Sequence, residues 1–275
     1  PGSCLVSKFS NLTMSPFAAA NAPTEDFGDI PSVYVSPPPF NLSLLFSVDT
    51  PTSLTTPDTD LLSFGDGSND SPFSVAAWIK VLSHPNTGVI FGKKDVSTNK
   101  DEYEFYIAVD GGLHIRIHDD SSGKFQGRYI DSQIPIDEWI HVAFTYDGSG
   151  GNSASSGITM YRNGEEITSI PDNNGAGYVA MENTTATPTI GNLARTTPSS
   201  GNAFDGNIAE IQVWSKELLL EDVQAIYNAG VHGVKSDYVY FEDLLYGTDI
   251  QGPYSKMSEI GTRFKSATCG LQFGE

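Results

Sequence analysis

The run Glu102-Tyr-Glu104-Phe-Tyr106 sets two carboxylates two residues apart, a spacing that puts both on one face of a strand. Paired carboxylates can flank a scissile glycosidic bond, whereas neighbouring acids on an exposed strand otherwise serve solvation. His114-Ile-Arg116-Ile-His118 places three cations on one strand face, where they either meet an acidic ligand or balance nearby carboxylates. Phe64-Gly-Asp66-Gly-Ser-Asn-Asp70 is an oxygen-rich turn. Tyr103, Tyr106, Tyr129, Tyr146, Tyr161 and Tyr178 offer rings either for stacking on sugars or for the core. No HExxH, Gly-x-Ser-x-Gly, P-loop or CxxC motif occurs, so no catalytic residues are assigned and the chain reads as a non-enzyme.

The elements that carry these groups must come from a 275-residue chain that is 39% hydrophobic, enough for one large all-β domain or two smaller ones. Fifteen Lys+Arg against 34 Asp+Glu leave a net charge of −19, which repels phosphate backbones and anionic headgroups. Nucleic acid is therefore excluded as a partner, while divalent cations are compatible. No run approaches the roughly 20 apolar residues of a membrane span, so membrane insertion is not expected. A start at Pro1 fits either Met trimming or removal of an upstream leader. Cys4 and Cys269 stand at opposite ends, either bridged within or between subunits or left as buried thiols. Sequons occur at Asn11, Asn41, Asn69 and Asn183; Asn69 is the poor one, because Asp70 and Pro72 crowd it, which leaves Asn11, Asn41 and Asn183 as glycosylation candidates.

Three regions follow. Residues 1–40 form an extended arm, because Pro16, Pro23, Pro31 and Pro37 to Pro39 rule out a long helix or a central strand. Phe9, Leu12, Phe17, Val33, Tyr34 and Val35 load that arm with apolar surface that needs cover. Either the arm lies on its own domain or it adds a strand to a neighbouring subunit's sheet. Residues 41–233 show short β-branched and aromatic runs between Gly, Asn, Asp and Ser clusters, with strands predicted at 73–82, 103–109, 113–118, 139–146, 158–162 and 208–214. Asp147 to Gly157 reads as a flexible loop. Leu219, Val223, Ile226 and Tyr227 recur at helical spacing behind Glu221 and Asp222, with Gly230 as the stop, so one short helix caps the sheet. Residues 234–275 are too short for a domain and are expected to pack on the sandwich or a neighbour.

Four blocks of the middle region resemble the laminin-G-like, concanavalin A-like jelly-roll family. They are Pro72 to Lys80 with Trp78, Trp139 to Gly148 with His141, the hairpin Tyr161-Arg-Asn163-Gly164, and Ile190-Gly-Asn192 followed by Phe204 to Trp214. Their order over the middle region implies an all-β fold, an antiparallel two-sheet jelly-roll sandwich with one capping helix. Two departures stand out: Ile208-Ala209-Glu210 lacks the family's usual Asp, and Leu220 replaces a Ser or Thr helix cap. The third acid of the related laminarinase-like Glu-x-Asp-x-x-Glu pattern has no counterpart beside Glu102 and Glu104. Family members hold calcium with loop and strand-edge oxygens, and the resemblance implies Asp66, Asp70, Asp205 and Glu210 as ligands of a structural calcium, about 6–8 oxygens being needed. Turn formation alone is the alternative.

The expected function is an extracellular or surface-displayed structural glycoprotein that self-assembles into homo-oligomers or filaments by exchanging the 1–40 arm. The alternative is a calcium-dependent, lectin-like carbohydrate-binding module, free or on a virion surface.

Overall fold

A computed structural model describes residues 13–14, 24–26, 43–196, 199–232 and 244–247. Cys4, Cys269, Asn11, Asn41 and the arm residues Phe9, Leu12, Phe17, Val33, Tyr34 and Val35 lie outside the described residues. The strands are β1 (Thr13–Met14), β2 (Thr24–Asp26), β3 (Ser43–Phe46), β4 (Leu54–Thr55), β5 (Phe73–Val81), β6 (Gly88–Asp95), β7 (Lys100–Ile107), β8 (Leu113–Asp119), β9 (Lys124–Tyr129), β10 (Trp139–Tyr146), β11 (Ile158–Arg162), β12 (Glu165–Ile167), β13 (Ile170–Asn173), β14 (Pro188–Ile190), β15 (Gly206–Trp214) and β16 (Leu244–Gly247). Helix α1 (Leu220–His232) follows β15.

The first sheet runs β1-β4-β14-β6-β7-β8-β9-β13, and the second β12-β11-β10-β5-β15-β3-β2 with β16 also against β15. The named strands pair antiparallel throughout. This is the two-sheet jelly-roll sandwich the four sequence blocks imply.

Side-chain parity builds the core. Strand β10 pairs with β5 from Trp139 opposite Lys80 to Tyr146 opposite Phe73, and alternate residues of both strands, Ile140, Val142 and Phe144 with Val75, Ala77 and Ile79, point inward. They meet Tyr103, Phe105, Leu113, Ile115 and Ile117 from β7 and β8 of the other sheet. Phe73 stacks on Phe64 at 4.1 Å and meets Phe144 edge-on at 5.2 Å. Burial of each such side chain contributes about 1.5–3 kcal/mol, so this layer holds the two sheets together.

The opposite parity of the second sheet is covered by α1. Trp78, His141 and Tyr227 form one cluster, with Trp78 stacked on Tyr227 at 5.5 Å. Burial alone pushes the His141 ring down to about 3, so it stays neutral under the helix.

The helix corrects three expectations. Leu219 is exposed, because it precedes the first helical residue; Val223 and Ile226 are buried as the pattern requires. The missing Ser or Thr cap is offset by Asp222, whose carboxylate accepts the Leu219 N–H at 3.1 Å. Gly230 does not stop the helix, which continues to His232. Its role is close approach: a Cβ there would sit 2.4 Å from Trp78 Nε1.

The segment 147–157 is a packed loop rather than a flexible one. It closes in a 3-10 turn at Gly151–Gly157 that buries Ala154 and Ser155. Gly150 N–H donates to Tyr146 Oη at 2.9 Å, and Gly151 N–H to the Val179 carbonyl at 2.8 Å. The Asn163-Gly164 turn is as expected, with φ of 54° and 78°. Glu210 also takes a positive φ, 49°, where the β15–β5 register shifts between Ala209 and Gln212. In the arm, β1 and β2 add to this chain's own β4 and β3.

Candidate functional site

The oxygen-rich turn is a turn with an anchor. Asp66 accepts the Ser68 and Asn69 N–H groups at 2.8 and 2.7 Å, which closes the loop. Asp70 is the anchor: one oxygen accepts Tyr146 Oη at 2.6 Å and Tyr178 Oη at 2.8 Å, the other the Met181 N–H at 2.6 Å. Burial pushes the Asp70 carboxyl up even against those three hydrogen bonds. Asp205, by contrast, is held by the Ser83 hydroxyl and the Val48 N–H. It adjoins Gly206, which pairs with Val81, whereas Asp70 precedes Phe73. The nine residues of β5 therefore separate the two carboxylates, at about 3.3 Å per residue. Glu210 lies between them at the β15 bulge. The structure does not bring Asp66, Asp70, Asp205 and Glu210 together, and no group of three or more acids, His or Cys able to hold a metal occurs among the described residues. Calcium has no fit at the expected residues.

The tyrosines differ in burial and in face. Tyr103, Tyr106, Tyr146, Tyr161 and Tyr178 are buried and Tyr129 is half-buried; Tyr106 and Tyr129 belong to the outer face of the first sheet. That face is ordered in rows. Tyr106, His114, Tyr129 and Ile170 stand side by side across β7, β8, β9 and β13, and the next row is Glu104, Arg116, Gly127 and Asp172. His118 and Phe125 start a third.

The first row is a stack, with His114 5.0 Å from the Tyr106 ring and 5.0 Å from the Tyr129 ring at 21° and 13°. In the second row Gly127 is a close approach of β9 to β8: a Cβ there would stand 2.2 Å from the Ile115 carbonyl oxygen and 3.2 Å from Arg116 Cγ, and Arg116 crosses β9 over it. Arg116 Nε then donates to Asp172 Oδ2 at 2.8 Å, and its guanidinium lies 4.4 Å over the Phe125 ring. Burial pulls Asp172 up, but His114 and Arg116 outweigh it and hold the carboxyl below its ordinary value. Lys94 reaches Asp101 at 3.2 Å and Glu104 at 3.3 Å, and His118 reaches Glu104 at 3.3 Å. Burial works against the Glu104 charge, yet the His118 hydrogen bond and charge, with Lys94 and Arg116, bring it down to about 2.

The expected ladder His114, Arg116 and His118 thus does balance carboxylates, with both histidines largely buried and Arg116 about 31% exposed at its side chain. Glu102 and Glu104 do not act as a pair, since Glu102 bonds Lys93. Phe125 and Asp172 were not expected here: β9 carries Gly127 and β13 carries Pro171, which hide the strand pattern. The Lys-Phe-Gln-Gly run after the 120–123 turn was the available signal. Among the described residues, no helix is long and apolar enough to cross a membrane.

A family model described as the Concanavalin A-like lectin/glucanases superfamily matches residues 50–224. No curated protein matches the chain. Among solved structures, the botulinum neurotoxin serotype G binding domain is 14% identical with a TM-score of 0.50, over 78% of this chain and 46% of that one. A botulinum neurotoxin type C structure, from work on cell entry dependent upon interaction with two ganglioside molecules, is 16% identical with a TM-score of 0.50, over 79% and 46%. The chain spans less than half the length of these two neurotoxin chains. The heptameric SAP-like pentraxin of Limulus polyphemus is 20% identical with a TM-score of 0.42, over 72% and 91%. At these identities the likeness is one of fold.

The Glu104 network generates a pH prediction. Its carboxyl is depressed from 4.5 to about 2 in the folded chain, so its contribution is complete above pH ~4.5 and is lost as pH falls toward 2, about 3 kcal/mol in all. Urea unfolding at stepped pH should therefore show the parent chain losing about that much more stability than Glu104→Gln across this window. Parallel profiles would remove the network from the stability account.

Proposed function

The chain belongs to the Concanavalin A-like lectin/glucanases superfamily, and from that premise we propose that it is a glycan-binding domain whose binding surface is the outer face of the first sheet. The observation that carries this reading is Arg116, pinned between the Phe125 ring at 4.4 Å and Asp172 at 2.8 Å. Beside it the half-buried Tyr129 ring is stacked on His114. A sugar needs an aromatic ring for its C–H face and fixed polar groups for its hydroxyls. Here both are held in place before any ligand arrives, which lowers the ordering cost of binding. Fold neighbours that include a neurotoxin studied with ganglioside molecules are consistent with sugar recognition on this scaffold.

Binding rather than glycosidic catalysis fits Glu104, the acid on the proposed binding face. A general acid must keep its proton near neutral pH, and Glu104, at about 2, does not. An extracellular or surface-displayed setting suits a glycan binder; Asn183 of the Asn183-Thr-Thr sequon is exposed, though its Nδ2 donates to Asp60 Oδ1 at 2.9 Å. An array of neutral and sialylated glycans should give at least one binder, and Tyr129→Ala should weaken it roughly tenfold, about 1.4 kcal/mol, with unchanged circular dichroism. A blank array, or full binding by the variant, would overturn the reading.

A second reading is self-association through the 1–40 arm. It is favoured by one feature: β1 and β2 are the outermost strands of the first and second sheets respectively. Edge strands held by two or three residue pairs are the kind that a second copy can supply with the same hydrogen bonds. Removing residues 1–40 should then reduce particle size in light scattering. An unchanged size distribution would dispose of this reading.

A further inference from the structure

Beneath the loops at one end of the sandwich lies a charged cluster that glycan binding does not use. Lys93 of β6 is fully buried at its side chain, as is Glu102 of β7, and Nζ lies 2.7 Å from Glu102 Oε1. The same nitrogen lies 2.9 Å from Asp58 Oδ1, in the segment after β4, and 2.6 Å from Ser63 Oγ. One amine therefore serves two carboxylates, a set with one negative charge in excess, in which Lys93 and Glu102 are fully buried while Asp58 is 33% exposed at its side chain. Glu102 is also unevenly satisfied. Its Oε1 accepts the Thr184 N–H and hydroxyl, each at 2.8 Å, besides Lys93, while Oε2 is buried without a hydrogen-bond partner.

A purely structural ion pair explains Lys93 with Glu102 but not the second carboxylate brought to the same nitrogen. A buried amine, a carboxyl group in contact with it and a second, shielded carboxyl group as proton carrier are the parts of an amide condensation. We propose that Lys93 and Asp58 form an intramolecular isopeptide bond, with Glu102 as the catalytic proton carrier.

The step balances without an oxidant or a second substrate. Glu102 takes a proton from the Lys93 ammonium across the 2.7 Å hydrogen bond, leaving a lone pair on Nζ. Glu102 passes that proton to an Asp58 carboxyl oxygen, so that Nζ attacks the Cγ of a neutral acid, and the N–C bond forms. The second departing proton of the amine follows the same route, so that one Asp58 carboxyl oxygen receives both from Glu102. That C–O bond breaks and water leaves. Glu102 ends as it began, and one positive and one negative charge have been replaced by a neutral amide. Burial raises the Glu102 carboxyl above its ordinary value, even against Lys93 and Thr184, which favours its holding the proton in transit. The 2.9 Å contact of Nζ with Asp58 Oδ1 keeps the amine beside the carboxyl group it must attack, which removes the entropy cost of bringing them together. The bond would tie the segment that carries Ser63 and Phe64 to the edge of the core.

Intact mass of the purified full chain under denaturing, reducing conditions tests this. The parent chain should weigh one water less than its sequence, and digestion should give a branched peptide joining the stretches around Asp58 and Lys93. Glu102→Gln should restore the full sequence mass while keeping the strand-rich circular dichroism, and Lys93→Met should do the same. If the parent chain has its full sequence mass, or if Asp58 and Lys93 appear in separate unmodified peptides, the proposal is overturned. A water loss that maps elsewhere overturns it equally.

Discussion

Everything in this molecule depends on the parity of its central strands. A strand presents alternate side chains to opposite faces, so once Phe73, Val75, Ala77, Ile79 and their partners on β7 and β10 commit to one shared core, the residues between them have no choice of side. On the second sheet those residues include Trp78 and His141, and α1 covers them with Tyr227, drawn close by the missing side chain at Gly230. On the first sheet they are Glu104, His114, Arg116, His118 and Tyr129, in ordered rows where His118 meets Glu104, Arg116 meets Asp172 and Tyr129 stacks on His114. The difference between the two outer faces is the reason to look for recognition on the first.

Charge is used sparingly inside and for definite purposes. Asp70 ties three segments by accepting from Tyr146, Tyr178 and Met181, and Lys93 gathers Glu102, Asp58, Ser63 and Thr184 under neighbouring loops. Both anchors fix loops that would otherwise bear the entropy of long connections. With those loops held, the rows on the first sheet rest on a rigid support, which a surface built for sugars requires.

Much of the fold was legible because its longest strands alternate or carry β-branched runs: β5, β8, β10, β11 and β15 appear where the pattern placed them. Strand β6 was missed because its buried end, Gly-Val-Ile-Phe-Gly, has no alternation to read. Long-range partnership was the harder part. Arg116 and Asp172 are 56 residues apart and meet across Gly127, which pairs with both on β9. The expected calcium ligands failed for the converse reason, since side chains of suitable type sit at opposite ends of β5 and sequence spacing does not report which end a loop occupies. The apparent glycine stop in the helix shows the same limit: Gly230 serves a tryptophan brought over it from another strand.

The central claim is that the uncapped sheet face, and not the loops or the helix, meets the ligand. Backbone amide chemical shifts followed during titration with a glycan from the array locate the contact directly. The account predicts that the largest changes fall on Arg116, Phe125, Gly127, Tyr129 and Asp172. Changes concentrated instead on the Asp66 to Asp70 turn or on α1 would contradict it.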